Sequence, residues 1–231
     1  MNESWYFLEH GPHAPAWNMA CDEWLLHQAK SLSHPILRIY AWDRPSITIG
    51  YFQPYPKEVS KHTVIRRPTG GDQVFHDSDL TFTVVLPSEH EWHPMKAYDR
   101  YQMVHQRISK VFELRGISPV SAEGHNLLQK QGKELHRSDS LCFVKHSRYD
   151  VIVNGIKVVG GAQRVTREGL LHQGSIQGCK NRVSSQELKR AWESFGTIFT
   201  SLQLKIEDES AIEALAVHKY GTDEWNCKRT S

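Results

Sequence analysis

Apolar positions along the chain follow two periods, and the switches between them mark the elements. Residues 4–9 (SWYFLE) have strand character. After a proline-rich turn, residues 16–30 (AWNMACDEWLLHQAK) carry Trp17, Ala20, Cys21, Trp24 and Leu25 at helical spacing. Residues 35–42 (PILRIYAW) and 46–53 (SITIGYFQ) are β-rich runs, and the turn signal Asp43-Arg44-Pro45 between them predicts a hairpin. Strands are predicted again at 62–67 (HTVIRR) and 80–87 (LTFTVVLP), on either side of a glycine loop. A helix is predicted from about 95 to 115, with Tyr101, Val104, Ile108, Val111 and Phe112 on one stripe and Gly116 as its terminating glycine. Residues 121–140 are polar and aperiodic and are read as a connector. Asn154-Gly155 between β-branched runs predicts a hairpin over 147–165, followed by a strand at 169–178. Ser184 with Glu187 three positions on has the form of a capping box, and a last short helix is expected at about 209–219. There is no βαβαβ alternation and no repeat. The pattern predicts an α+β fold with a largely antiparallel or mixed central sheet flanked by helices. No Pro/Gly/Ser-rich linker interrupts it, so residues 1–231 are expected to form one domain.

Composition narrows the classes. The chain has 231 residues, 39% hydrophobic and 23% charged, with a net charge of +2. That is an ordinary balance for a globular protein and supplies no electrostatic footprint for nucleic acid. Its 14 histidines form no HxxxH or HExxH pair, so no metal site is expected. Cys21, Cys142, Cys179 and Cys227 lie far apart with no CxxC, which fits free thiols in a reducing cytoplasm better than a disulfide framework. No apolar run approaches the ~20 residues of a membrane span, and the N-terminal residues lack the pattern of a signal peptide.

Two glycine-containing stretches carry candidate chemistry. In RRPTGGDQVFHDSD (66–79), Gly70 and Gly71 let a ligand approach the backbone, and free N–H groups there suit a phosphate or a carbonyl oxygen. Arg66 and Arg67 supply charge, although strand alternation would send them to opposite faces, and Val74 and His76 follow within reach. The plain alternative is a strand-to-strand turn with a surface arginine. In VNGIKVVGGAQRV, Lys157 stands just beyond the tight turn and Gly160, Gly161 and Ala162 follow. A lysine there binds a phosphate or a polarised carbonyl as a point charge, or is a solvated hairpin residue.

RRPTGGDQVFHDSDLTFTVV, NGIKVVGGAQRVTREGLLHQGSI, WNMACDEWLL and SITIGYFQ resemble, in the same order, the signature segments of the lipoate–protein ligase and octanoyltransferase superfamily. The resemblance covers roughly residues 15–178. It implies a biotin/lipoyl ligase-like fold, related to class II synthetase cores. It also implies covalent attachment of an octanoyl or lipoyl group to a lysine of a lipoyl domain. Such domains belong to the E2 subunits of 2-oxoacid dehydrogenases or to the H protein of glycine cleavage. The resemblance places Arg66, Arg67, Gly70, Gly71, Val74, His76, Gly160, Gly161 and Ala162 at the acyl or adenylate site and makes Lys157 catalytic.

Two chemistries share that scaffold. Ligases adenylate free lipoate with ATP and Mg2+, whereas transferases move octanoate from an acyl carrier protein or another lipoyl domain through a cysteine thioester, with no tightly bound cofactor. SLCFVKHSRYD resembles the segment of the cysteine-dependent octanoyltransferases that bears the nucleophile, which puts Cys142 in that role. Lys145, His146 and Arg148 flank it with positive charge. The loop reads Gly70-Gly71-Asp72 where ligases prefer three glycines, and no extra C-terminal domain of the ligase kind is recognised. An ATP-dependent ligase and a non-catalytic acyl- or lipoyl-domain-binding paralogue are the alternatives. A biotin ligase is not indicated, because its GRGRxGR-type loop is missing. Four positions depart from the family pattern: Asp72 stands for Gly or Arg, Gly161 for a common Ser, and His172-Gln173 for the usual Gln-His. Alternation then turns the histidine to the opposite face of its strand. An eight-carbon chain needs an apolar floor, expected at Val74, Val85, Val158 and Val159, and a mouth at Gly70, Gly71, Gly160 and Gly161.

Overall fold

The computed structural model describes residues 2–57, 62–130, 147–178 and 183–227, with side chains omitted at 127–130. Strand β1 (Glu3–His13) leads into α1 (Pro15–Leu32) and then β2 (Ile36–Trp42). Pro15 opens α1 where its missing N–H costs nothing, and Ser33, left-handed at φ 60°, ends it. β1 and β2 run parallel, so α1 is a crossover, a unit the sequence pattern did not single out.

The predicted hairpin between residues 35–42 and 46–53 does not form. Both edges of β2 are taken, by β1 and by β6 (Leu80–Pro87). The turn after Trp42 instead carries the chain into a second sheet. There β3 (Ser46–Ile49) pairs in parallel with β4 (Thr63–Arg66) and antiparallel with β5 (Val74–His76).

β6 continues into α2 (Ala97–Leu114), whose buried face includes the predicted stripe from Tyr101 to Phe112. Gly116, at φ 72°, follows its end. β7 (Val120–Ser121) and α3 (Ala122–Lys130) occupy the first part of the expected connector. Its polar residues hid a short helix in which Ala122 and His125 are buried; residues 131–140 lie outside the described residues. β8 (Val151–Val153) and β9 (Ile156–Val165) form the predicted hairpin, with Asn154 and Gly155 both at positive φ (50° and 78°), as a two-residue turn of the mirror-image type demands.

β10 (Gly169–Ile176) follows, then α4 (Ser185–Glu193) with the Ser184/Glu187 capping box in place. The short edge strand β11 (Thr197–Ser201) was not anticipated. α5 (Ile206–Leu215) runs into a single π turn, Ala216–Tyr220, and α6 (Asp223–Asn226) ends the described chain.

The large sheet is mixed, in the order β11-β1-β2-β6-β10-β9-β8-β7. Two apolar layers sandwich it. One joins Trp5, Phe82, Leu86, Ile108, Phe112 and Trp192. The other joins Leu8, Met19, Leu25, Val85, Leu171 and Ile212. Successive residues of β6 and β10 alternate between the two, which is why these central strands read as continuous apolar runs. Among the described residues no helix is long and apolar enough to cross a membrane.

Candidate active site

The strand register aligns side chains in rows across the sheet. Tyr40, Thr81, Ser175 and Gly160 stand opposite one another on β2, β6, β10 and β9. Arg38, Thr83, Gln173 and Ala162 form the neighbouring row. The first row, with Gln173 and Ala162 of the second, floors a cleft of about 670 Å³ that the small sheet and the glycine loop wall in.

Beneath the floor lies the buried carboxylate of Asp22. It accepts from Arg38 Nη1 (2.6 Å), Tyr40 Oη (3.0 Å), Thr83 Oγ1 (2.9 Å) and Gln173 Nε2 (2.7 Å). Burial first, and then the Asp22 charge, push the Tyr40 phenol well above its ordinary value, so it stays a donor. Gln173 Oε1 accepts from Thr69 Oγ1 (2.8 Å), so both ends of this amide are engaged. Tyr40, Gln173, Met19, Trp42, Val74 and Ala162 therefore offer the cleft a largely apolar stretch. Of the expected floor, only Val74 lines it. Val85, Val158 and Val159 are fully packed in the two core layers and do not reach the cleft.

The arginines separate as strand alternation requires: Arg67 lines the cleft and Arg66 does not. Arg67 lies under the glycine loop, donating to the carbonyls of Gly70 (2.6 Å), Asp72 (2.7 Å) and Thr48 (3.3 Å) and to Thr48 Oγ1 (3.2 Å). Nε also reaches Gly70 O (3.1 Å), so all three guanidinium nitrogens donate to protein acceptors. Burial lowers its pKa to about 10. Gly71 lines the cleft, Gly70 does not, and Asp72 sits at the exposed mouth.

Arg66 faces away from the cleft. Its guanidinium donates to the carbonyls of Gly50, Tyr51 and Gln53 (3.0, 2.9 and 2.6 Å) and of Trp225 and Asn226 (3.2 and 2.9 Å). It clasps the C-terminal segment to the loop after β3. Arg66→Ala would orphan several buried carbonyls and is expected to cost about 3 kcal/mol or more. A thermal melt within a few degrees of the parent would show the clasp to be dispensable.

His76 lines the cleft, stacked on Trp42 with centroids 4.2 Å apart. Its Nδ1 meets Asp79 Oδ2 at 2.8 Å and its Nε2 meets Thr48 Oγ1 at 3.0 Å. Burial opposes ionisation of Asp79. The His76 ring, with the hydroxyls of Ser175 (2.6 Å) and Thr81 (3.0 Å), outweighs it and holds the carboxyl below its ordinary value. Sequence reading missed Asp79, though its place three residues after His76 was a usable signal.

At the other end, Lys157 Nζ lies 2.7 Å from the buried Asp150 Oδ2. Gly160 lines the cleft and also gives the lysine room. A Cβ there would lie 2.7 Å from Lys157 Cε and 3.0 Å from its Nζ, so the bare backbone makes room for the lysine's own stem. Gly161 and Ala162 line the cleft beside it. Cys142 lies outside the described residues. Arg148, counted as positive charge near it, is engaged by Glu123 through two contacts of 2.7 Å.

The departures at positions 161 and 172 explain each other. A Cβ on residue 161 would sit 2.4 Å from His172 Nε2, so His172 requires glycine there. His172 does face the opposite side from Gln173, where it accepts from Gln163 Nε2 at Nδ1 (3.0 Å) and meets His105 Nε2 at 3.3 Å. Burial lowers the pKa of His172 to about 3; burial, and then His172, lower that of His105. Between pH 6.5 and about 3 the unfolded chain binds a proton that folded His172 refuses. Stability is therefore lost as pH falls through that window, by about 1.4 kcal/mol per pH unit. Urea midpoints at pH 7 and pH 5 should show a smaller drop for His172→Gln than for the parent, by about 2 kcal/mol. Equal drops would show that His172 is not held neutral.

Residues 14–200 match the sequence model of the lipoyl protein ligase A/B catalytic domain. The chain belongs to this family. Two relatives cover nearly all of it. Octanoyltransferase LipM of Halalkalibacterium halodurans is 30% identical over 98% of this chain and 100% of its own length, and that of Bacillus subtilis is 31% identical over 98% and 99%. Among solved structures, lipoate-protein ligase A bound with ATP superposes with a TM-score of 0.74 over 100% of both chains, at 20% identity. The putative lipoate protein ligase Ta0514 of T. acidophilum with bound lipoic acid gives 0.74 over 99% of this chain and 100% of that one, at 22% identity. The lipoyl ligase family thus shares the fold described above, including the mixed sheet with helices on both faces. Among the described residues no group of three or more His, Cys, Asp or Glu could hold a metal ion.

Proposed function

We propose that this protein transfers an octanoyl group from a thioester donor to the acceptor lysine of a lipoyl domain. Full-length similarity to Octanoyltransferase LipM carries this reading. The cleft supports it, with an apolar stretch beside a lysine at one end.

The Cys142 thiolate attacks the donor thioester. A new C–S bond forms, the donor's C–S bond breaks, and the donor leaves as its thiol after taking up a proton. The acceptor lysine, as free amine, then attacks octanoyl-Cys142. The amide C–N bond forms, the C–S bond breaks, the amine's proton leaves to solvent and the Cys142 thiolate returns. In both steps the carbonyl oxygen gains negative charge, and the Lys157 ammonium stabilises it. Burying each CH2 of the acyl chain contributes about 0.8 kcal/mol, so a chain two carbons shorter should react on the order of ten-fold more slowly.

The donor is an acyl carrier protein or another lipoyl domain, no tightly bound cofactor is needed, and the reaction is cytoplasmic. An acceptor of lipoyl-domain type is supported by a structural neighbour, the bi-partite lipoate protein ligase solved with its E2 lipoyl domain from Thermoplasma acidophilum (TM-score 0.72, 21% identity). The ligase alternative is less well supported here, because all three guanidinium nitrogens of Arg67 already donate to protein acceptors.

Incubation with an apo lipoyl domain and either octanoyl carrier protein or free lipoate with ATP, read by intact mass, tests the proposal. Octanoyl gain only from the carrier protein is expected. Modification only with ATP would make the protein a ligase, and none with either donor would favour a binding paralogue.

A further inference from the structure

Asp150 is completely buried and does not line the cleft, yet it holds the cation that does. Its carboxylate accepts from Lys157 Nζ (2.7 Å), from Tyr101 Oη (2.5 Å) and from the backbone amide of Ser147 (2.7 Å). Each donor comes from a different part of the fold. Lys157 is on β9, Tyr101 on α2, and Ser147 opens the turn that Asp150 N closes onto Ser147 O (3.0 Å). The Tyr101 oxygen in turn accepts from Gly161 N (2.8 Å), which ties the phenol to the strand that carries the lysine.

We infer that Asp150 is a positioning residue for acyl transfer, fixing the Lys157 ammonium at one point of the cleft wall; this rests on the transfer reading above. A free lysine side chain has many rotamers, and an ammonium that must meet a developing oxyanion loses effect when it wanders. The ion pair removes that freedom: the stem lies over Gly160, whose missing Cβ leaves it room, and the ammonium ends on Asp150. The carboxylate is itself immobile, because Tyr101 and the Ser147 amide hold it independently of the lysine. The lysine side chain is only 13% exposed, so its desolvation must be offset by a well-placed counter-charge. Asp150 provides it without touching substrate.

The test separates positioning from folding. Asp150→Asn removes the charge and keeps the shape. It is expected to lower kcat on the order of 10²-fold with KM for the octanoyl donor nearly unchanged, since ground-state binding is untouched. Asp150→Glu, which keeps a carboxylate, should recover most of that loss. A second readout needs no transfer activity. Lys157, released from the clamp, should be acetylated by acetic anhydride at neutral pH several-fold faster than in the parent, as measured by peptide mass.

Should Asp150→Asn fail to fold, Tyr101→Phe loosens the same carboxylate while leaving the Lys157 and Ser147 contacts in place. It should shift both readouts in the same direction by a smaller factor. Parent-like labelling with parent-like kcat, in Asp150→Asn or, if that variant is unfolded, in Tyr101→Phe, overturns the inference. If the parent itself transfers no octanoate while labelling responds as described, the clamp stands and the transfer reading falls.

Discussion

Lys157→Met should lower kcat for octanoyl transfer by about 10²–10³-fold, equivalent to about 3–4 kcal/mol of transition-state stabilisation. The chain is expected to remain folded, because methionine keeps much of the stem's packing over Gly160. The loss is specific to the transition state. The ground-state carbonyl is only polarised, whereas the tetrahedral intermediate carries a full charge opposite the ammonium. KM for the donor should therefore change little. Gly160→Val provides a second route to the same defect. Its side chain would occupy the space of Lys157 Cε and push the ammonium off Asp150, so it should reproduce the loss in kcat without a matching loss of acyl binding. Binding of a non-reactive octanoyl thioester analogue, measured by calorimetry, distinguishes this from a blocked acyl channel. Parent-like turnover by Lys157→Met would leave the lysine only the structural task of neutralising Asp150. Weakened binding of the analogue to Gly160→Val would show that this glycine also shapes the acyl channel.

What the sequence disclosed depended on range. Local rules were reliable where a few neighbouring residues decide the outcome. Asn154-Gly155 sets a two-residue turn, Ser184 and Glu187 cap a helix, and the stripe from Tyr101 to Phe112 names the buried face of α2. Pairings between distant strands were not legible. The run 35–42 belongs to the large sheet and 46–53 to the small one, because the competing partners, β1 and β6, come from elsewhere in the chain. The short elements β5, β11 and α3 were hidden because so few residues give no clear hydrophobic period.

The candidate site shows the same division. Strand alternation foretold that Arg66 and Arg67 diverge and that His172 turns away from Gln173. It did not say that Arg66 would be consumed by the C-terminal segment some 160 residues later, or Arg67 by its own glycine loop. Buried polar groups need partners, and those partners are rarely neighbours in sequence. The Asp22 network, which unites α1, β2, β6 and β10, could not be assembled from any single motif. Asp150 is an intermediate case. It lies just before β8, and the hairpin turn that pairs β8 with β9 brings it near Lys157, but only the side-chain geometry reveals the contact.

Cys142→Ala is expected to reduce octanoyl transfer by on the order of 10³-fold or more, because covalent catalysis loses its nucleophile outright. Among the described residues no other thiol suits the role. Cys21 is fully buried in the second core layer, and burial pushes its pKa to about 12, so it contributes almost no thiolate at neutral pH. Cys227 is exposed but lies next to the segment that clasps Arg66, and Arg66 faces away from the cleft. The parent protein, mixed with octanoyl carrier protein and no acceptor, should gain the mass of one octanoyl group. Hydroxylamine should remove it, as it does a thioester, and peptide mapping should place it on Cys142. Cys142→Ala should gain nothing, and Cys227→Ala should behave as the parent. The acceptor lysine cannot bypass the missing thiol efficiently. With an ordinary pKa near ~10.4 it is mostly protonated at neutral pH, and the unactivated donor thioester is no longer held as an enzyme-bound acyl group beside Lys157. Adding free lipoate and ATP to Cys142→Ala provides the opposing case. If the variant then modifies the lipoyl domain as fast as the parent does, activation occurs at a phosphate ester, the cysteine is incidental and the chain works as a ligase. If neither donor is used while the thermal melt is unchanged, acyl transfer through Cys142 accounts for the activity.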